Sequence, residues 1–319
     1  MSSTFVPRLP RLPSLAALAS LATIPTLPLT AESQPPSLEL VRQQVEARIA
    51  DVPGASVGVY YRHLGTDDLL AVNADAPFHA ASTMKVPVMM AYFRAVDAGR
   101  IAPGARVVLA NRFASIVDGS PYALDAGDDS DSALYARVGE EVPVLELVDR
   151  MITRSSNLAT NAVLTVVGAP EAQATAQALG AGTMRVRRGV EDGKAFRAGL
   201  NNTTSARDLG LLFEALGRGR VASPGSTATM LEILGRQAFN DEIPAALPVG
   251  TPVAHKTGWI SGVLHDAALV RPAGRPAFVL VVLTAGIPEQ AVARRLIQDV
   301  ARLVWAHADG VAAASPGAR

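Results

Sequence analysis

The chain has 319 residues, 29 basic and 29 acidic side chains for a formal net charge of zero, 49% hydrophobic content and no cysteine. That length suits roughly two domains or lobes with a sizeable core, and the charge balance offers no broad basic field for nucleic acid or an anionic membrane. The lack of cysteine excludes disulfides, thiolate nucleophiles, thiolate metal sites and a lipid-modified cysteine anchor together.

Residues 1–31 read as a cleaved secretory signal. Arg8 and Arg11 precede an apolar run from Leu15 to Ala22, and Ala31 closes the segment with a small residue. The run is shorter than the about 20 residues that span a bilayer, so the expectation is a secreted or periplasmic mature chain with no stable membrane anchor. A Pro-rich leader is the alternative, because Pro7, Pro10, Pro13, Pro25 and Pro28 interrupt the segment.

Helical spacing of apolar residues predicts a helix over 37–49, and alternation predicts strands over 55–61 and 69–72. Helices follow over 82–98, 144–153, 158–167, 170–179, 206–216 and 227–236. Strand character returns over 251–257, 263–270 and 277–284, and an amphipathic helix over 288–308 closes the fold. The expected architecture is α/β and two-lobed. An α/β lobe comes from both chain ends, about 37–80 and 250–308, and an all-helical lobe of about 81–249 is inserted, with the active cleft between them. Residues 309–319 read as a disordered tail. The stretch 115–132, with Asp118, Asp125, Asp128, Asp129 and Asp131, reads as a solvated loop, since the regular calcium-loop spacing is missing.

The chemistry begins at Ser82-Thr83-Met84-Lys85, where residues three apart share one helix face. A serine hydroxyl needs a neighbouring base, and an amine can serve if burial or another cation lowers its pKa. Ala81 and Val86-Pro87-Val88-Met89-Met90 make this helix apolar almost all round, which draws Lys85 inward. A second element, Ser155-Ser156-Asn157, lies on a turn between helices and reads equally as a helix cap. A third, Lys256-Thr257-Gly258, ends a strand, where the cation could hold a carboxylate and Gly258 permits close backbone approach to a ligand.

In this order the three elements resemble those of the serine β-lactamases and penicillin-binding peptidases, the class A β-lactamases nearest, over roughly residues 37–308. The resemblance implies an antiparallel sheet flanked by helices and acyl transfer through a serine ester. It makes Ser82 the nucleophile, Lys85 its amine partner, and Ser155 a proton relay to the departing nitrogen. Asn157 would hold the substrate's side-chain amide, Lys256 and Thr257 its carboxylate, and the amides of Ser82 and Trp259 would form an oxyanion hole. Lys256 beside Lys85 would lower the lysine pKa.

The family also places a carboxylate on a later loop to activate the deacylating water, and Glu191 is the candidate here, 34 positions after Asn157. A surface acid pairing with Arg187 or Arg188 is its alternative reading, and Asp192 would then be next in line. The family's loop-closing aspartate appears as Asn202, the middle of the second motif is Ser156 rather than aspartate, and Trp259 is bulky where a small residue is usual.

His63, His79, His255, His265 and His307 have no paired zinc spacing, so neither a metal nor another cofactor is implied. His265-Asp266 hints at a serine triad, but no G-x-S-x-G elbow is present, and His265 reads as structural. Gly217 and Gly219 read as a helix-ending turn rather than a phosphate loop. The leading expectation is an exported, monomeric serine hydrolase that opens β-lactam rings. A D,D-peptidase or esterase, or a sensor that acylates without turning over, is the alternative.

Overall fold

Strand β1 (Ser56–His63) sets the logic of the sheet. Its Val57, Val59 and Tyr61 point to one core and Tyr60 to another, the period-2 alternation of a strand covered on both faces. The computed structural model describes residues 1–5 and 36–314. The chain divides into Met1–Gln34 and Pro35–Arg319. Residues 1–5 of the first unit have no regular structure, and the expected signal beyond residue 5, its closing Ala31 included, lies outside the described residues. All elements below belong to the second unit.

Helix α1 (Leu38–Ala50), capped by the Ser37 side chain, leads into β1 and β2 (Leu69–Val72). The middle of the chain carries α2 (Lys85–Asp97), α3 (Val144–Thr153), α4 (Asn157–Val167) and α5 (Ala169–Ala178). Then come the short α6 (Gly193–Arg197), α7 (Ala206–Gly217) and α8 (Pro224–Gly235). Three small ribbons punctuate it: β3 (Phe78–His79) with β8 (Thr203–Thr204), β4 (Arg106–Val108) with β7 (Glu141–Pro143), and β5 (Phe113–Ala114) with β6 (Pro121–Tyr122). Strands β9 (Val253–Ile260), β10 (Val263–Val270) and β11 (Phe278–Ala285) return to the sheet, and α9 (Gln290–Ala314) closes it.

The sheet has the order β2-β1-β11-β10-β9, antiparallel throughout, so both chain ends build it. On one face α1 and α9 bury Val41, Val45, Leu296, Ile297 and Val300 against Val59, Leu280 and Val282. On the other, Val279, Val281 and Leu283 join a core that runs without a break into α2, α3, α4 and α5. Helix α7, from within the span expected as the helical lobe, packs on this second face of the sheet. Gly210 permits the approach, because a Cβ there would lie 2.2 Å from the Tyr60 ring.

One boundary and one exposure differ from expectation. The closing helix runs to Ala314, past the 308 boundary, because the alanines at its end favour continued helix over a free tail. The stretch 115–132 is not simply solvated, since Ser115, Asp129 and Asp131 are buried.

Candidate active site

Ser82 lies in the first helical turn as expected, but that turn is 3₁₀ (Ala81–Met84) and runs into α2, which begins only at Lys85. Ala81 enters it with φ of 45°, a left-handed conformation that costs a non-glycine residue about 1 to 3 kcal/mol. The turn is pinned from several sides: Thr83 donates to the Ala80 carbonyl from both its amide at 3.0 Å and its hydroxyl at 2.6 Å. The Ala81 amide donates to His79 Nδ1 at 3.1 Å, and the Ala80 amide to the Asn202 carbonyl at 2.9 Å. Of the five non-glycine residues with positive φ among the described residues, three are Ala81, Ser155 and Glu191. Backbone strain is thus gathered around one place.

Lys85 is fully buried, and its Nζ hydrogens go to the second motif. It donates to the Ser155 carbonyl at 2.6 Å, to Asn157 Oδ1 at 2.9 Å and to Ser155 Oγ at 3.3 Å. Lys256 reaches the same hydroxyl from β9, donating to Ser155 Oγ at 3.0 Å and to the Thr257 carbonyl at 2.9 Å. Ser155 Oγ therefore accepts from two amines, which fills its lone pairs and leaves its own proton to donate elsewhere. Burial lowers Lys85 to about 7, opposed by the negative charges of Asp129 and Glu191. Lys256 is held well below its ordinary range, first by burial and then by the charge of Lys85. The expected effect between the two cations is therefore felt at Lys256, while desolvation dominates at Lys85.

Glu191 faces this pair across Asn157, whose Nδ2 donates to its Oε1 at 2.7 Å. Its side chain is open to the cleft, yet partial enclosure of the carboxyl raises its pKa, with the Asn157 hydrogen bond opposing. The partner of Glu191 is this amide rather than Arg187 or Arg188. Asn202 holds the loop with three hydrogen bonds in place of an ion pair: its Oδ1 accepts from the amides of Arg187 at 2.7 Å and Arg188 at 3.1 Å, and its Nδ2 donates to the Arg188 carbonyl at 3.0 Å. Asp192 is buried as a strut. It accepts from Ser115 Oγ and the Ile116 amide, both at 2.9 Å, and from the Ala195 amide at 3.0 Å, capping α6. With its oxygens so occupied, Asp192 is not placed to replace Glu191.

An open cleft of about 620 Å³ is lined by Ser82, Asn157, Glu191, Phe196, Trp259 and Ile260, with the two lysines and Ser155 buried behind its wall. Strand β9 is the free edge of the sheet, so backbone groups on its outer side have no strand partner. Gly258 brings that edge against the nucleophile turn, since a Cβ would stand 3.0 Å from the Ser82 amide nitrogen and 3.1 Å from that of Thr83. The close approach expected toward a ligand is thus made toward the protein's own backbone. Thr257 Oγ1 is buried without a hydrogen-bond partner. Trp259 turns its ring onto Phe239, centroids 4.9 Å apart and planes at 68°, and lines the cleft.

Sequence reasoning missed Asp129. Its carboxylate accepts from the amides of Asn157 and Leu158, and nothing in the spacing of residues 28 apart announces that contact. His265 is structural: its ring meets the carbonyls of Leu264 and His79, each at 2.9 Å, and burial lowers it to about 4. Asp266 instead meets His255 Nδ1 at 2.9 Å, so His265 and Asp266 form no dyad.

The family model described as Beta-lactamase enzyme family matches residues 40–308. A β-lactamase of Streptomyces fradiae is 28% identical over 255 residues, covering 78% of this chain and 80% of its own. The solved structure of PBP-A is 30% identical, with a TM-score of 0.73, covering 86% of this chain and 98% of that one. A β-lactamase structure from Sphaerobacter thermophilus is 28% identical, with a TM-score of 0.71, covering 82% and 96%. With an antiparallel sheet flanked by helices, and a family match across most of its length, the chain belongs to the β-lactamase enzyme family.

Proposed function

We propose that this enzyme opens β-lactam rings by acyl transfer to Ser82 and releases the product by hydrolysis of that ester. The observation that carries the reading is the convergence of Lys85, Lys256 and Asn157 on Ser155 and Glu191, at one end of the turn that presents Ser82. Lys85, lowered by burial to about 7, can shed a proton near neutral pH and as free base takes the Ser82 proton as the serine oxygen attacks the ring carbonyl. The amides of Ser82 and Trp259, one at a turn and one on a free sheet edge, receive the developing oxyanion. Ser155 passes a proton to the ring nitrogen as the amide bond breaks.

Lys256 and the unpartnered Thr257 hydroxyl bind the substrate carboxylate, and an arriving anion restores the charge that burial suppresses on Lys256. Glu191 then draws a proton from a water that attacks the ester carbonyl. A solved relative, the L158E mutant of PBP-A, is described as an acyl-enzyme complex with penicillin G, which supports acylation as the shared step. Export through a cleaved leader and action as a monomer belong to the same proposal, as does the division into a sheet lobe and an inserted helical lobe. Among the described residues no helix is long and apolar enough to cross a membrane.

Intact-mass analysis during nitrocefin turnover tests the scheme. Ser82→Ala abolishes the adduct, and Glu191→Gln forms it but turns over roughly a hundredfold slower. An adduct that persists in folded Ser82→Ala overturns the nucleophile. Wild type that accumulates the adduct and is unaffected by Glu191→Gln is instead a peptidase or sensor.

A further inference from the structure

The strongest group outside the proposed chemistry is Asp129, a carboxylate only 7% exposed that lies against the start of α4. Its Oδ2 accepts from the backbone amides of Asn157 at 2.9 Å and Leu158 at 2.8 Å, from the Tyr135 hydroxyl at 3.1 Å and from the Ser156 hydroxyl at 3.3 Å. Its Oδ1 accepts from the Asp131 amide at 2.9 Å. The free amides of a helix's first turn attract an anion. The helix already has a cap of its own, however, because Ser156 Oγ accepts from the Ala159 amide at 3.2 Å. Asp129 is thus a second anchor, delivered from a different loop.

What it anchors is the piece of backbone on which the reaction centre hangs. Asn157, whose amide it holds, accepts from Lys85 through Oδ1 and donates to Glu191 through Nδ2. Ser155, two residues before Asn157 and at φ of 56°, accepts from both lysines. A shift of this turn moves every one of these contacts.

We propose that Asp129 is a positioning residue for acyl transfer, its carboxylate holding the 155–157 turn in register with Lys85 and Glu191 and supplying the negative charge behind them. This rests on the roles proposed above for Lys85 and Glu191. The charged groups around Lys85 are Asp129, Glu191 and, through Ser155, Lys256. Those around Glu191 are Asp128, Asp129 and Lys85. Asp129 raises both Lys85 and Glu191, so its neutralisation lets both titrate at lower pH.

The test is the rate of acylation by a fluorescent penicillin, followed from pH 5 to 9 in wild type and Asp129→Asn. The asparagine cannot accept at both terminal atoms, and the expected result is acylation slower by about ten- to a hundredfold, with its acid limb displaced to lower pH. A folded variant that acylates at the wild-type rate overturns the proposal. So does a slower one whose limb stays put, since that marks a purely structural cap.

A charge swap covers the case in which Asp129→Asn does not fold. The Ser156 and Asp129 oxygens are 3.3 Å apart, and aspartate caps helices as well as serine. The double variant Asp129→Ser/Ser156→Asp therefore returns a carboxylate to the same space and is expected to fold and regain acylation. A swap that does neither overturns the proposal. Lys85→Ala in the wild-type background separates the two layers: unchanged acylation there defeats the reading of the site itself, whatever Asp129 does.

Discussion

The proposed role of Lys85 makes the acylation step a titration. Burial of the amine holds its pKa at about 7, and only the free base can take the serine proton. At pH 5, two units lower, about 1% of the lysine is free base, against about 90% at pH 8, so acylation should rise roughly ninetyfold across that interval. Lys85 and Lys256 share Ser155 Oγ, and the charge of Lys85 lowers Lys256 in turn, so the two amines titrate as neighbours. Single-turnover acylation by a fluorescent penicillin, quenched before hydrolysis, measures this step apart from the release that Glu191 is proposed to drive, although the Glu191 charge also raises Lys85. Lys85→Ala should abolish the limb and lower the plateau by at least about a hundredfold. A rate flat from pH 5 to 8, or a Lys85→Ala rate within tenfold of wild type, would refute a lysine base.

The same burial has a stability signature. Lys85 is near 7 when folded against its ordinary 10.5, so the unfolded chain binds more protons between those values. Stability should therefore rise with pH through that window by up to about 1.4 kcal/mol per unit, the penalty being complete below it. Urea unfolding of wild type against Lys85→Met checks the sign, and an equal slope in both would refute it. Asn202→Ala removes the acceptor of two loop amides; each orphaned amide costs about 1 to 3 kcal/mol. The variant should melt lower and deacylate more slowly while still forming the adduct, and unchanged melting and turnover would count against the amide clamp. Gly258→Ala sets a methyl 3.0 Å from the Ser82 amide. Overpacking of about 1 to 3 kcal/mol and slowed acylation are expected, and wild-type acylation would show that the edge strand does not bear on the nucleophile turn.

The order of elements was legible in the sequence because both signals behind it are local. Period-2 alternation marked β1 and β2, and strand-favouring residues marked β9, β10 and β11. The apolar surround of Lys85 announced its burial, since a helix with no polar face has nowhere to expose a lysine. Glu191 became a candidate only through the resemblance, which supplied the interval after Asn157 and the loop around it.

Other features depend on residues far apart in the chain, which no local pattern reports. That Lys85 turns to Ser155 and Asn157 follows from α2 packing beside α4. That Asp129 belongs to α4, although its loop reads as solvated acid, follows from free amides at a helix start that only the folded chain brings within reach. The Asn202 clamp and the Asp192 strut were equally hidden, because an amide or a carboxylate carries no sign of which backbone groups it will meet. Residue types and periodicity are written along the chain, whereas the partners of buried polar groups are chosen by the tertiary fold, which must satisfy each of them somewhere.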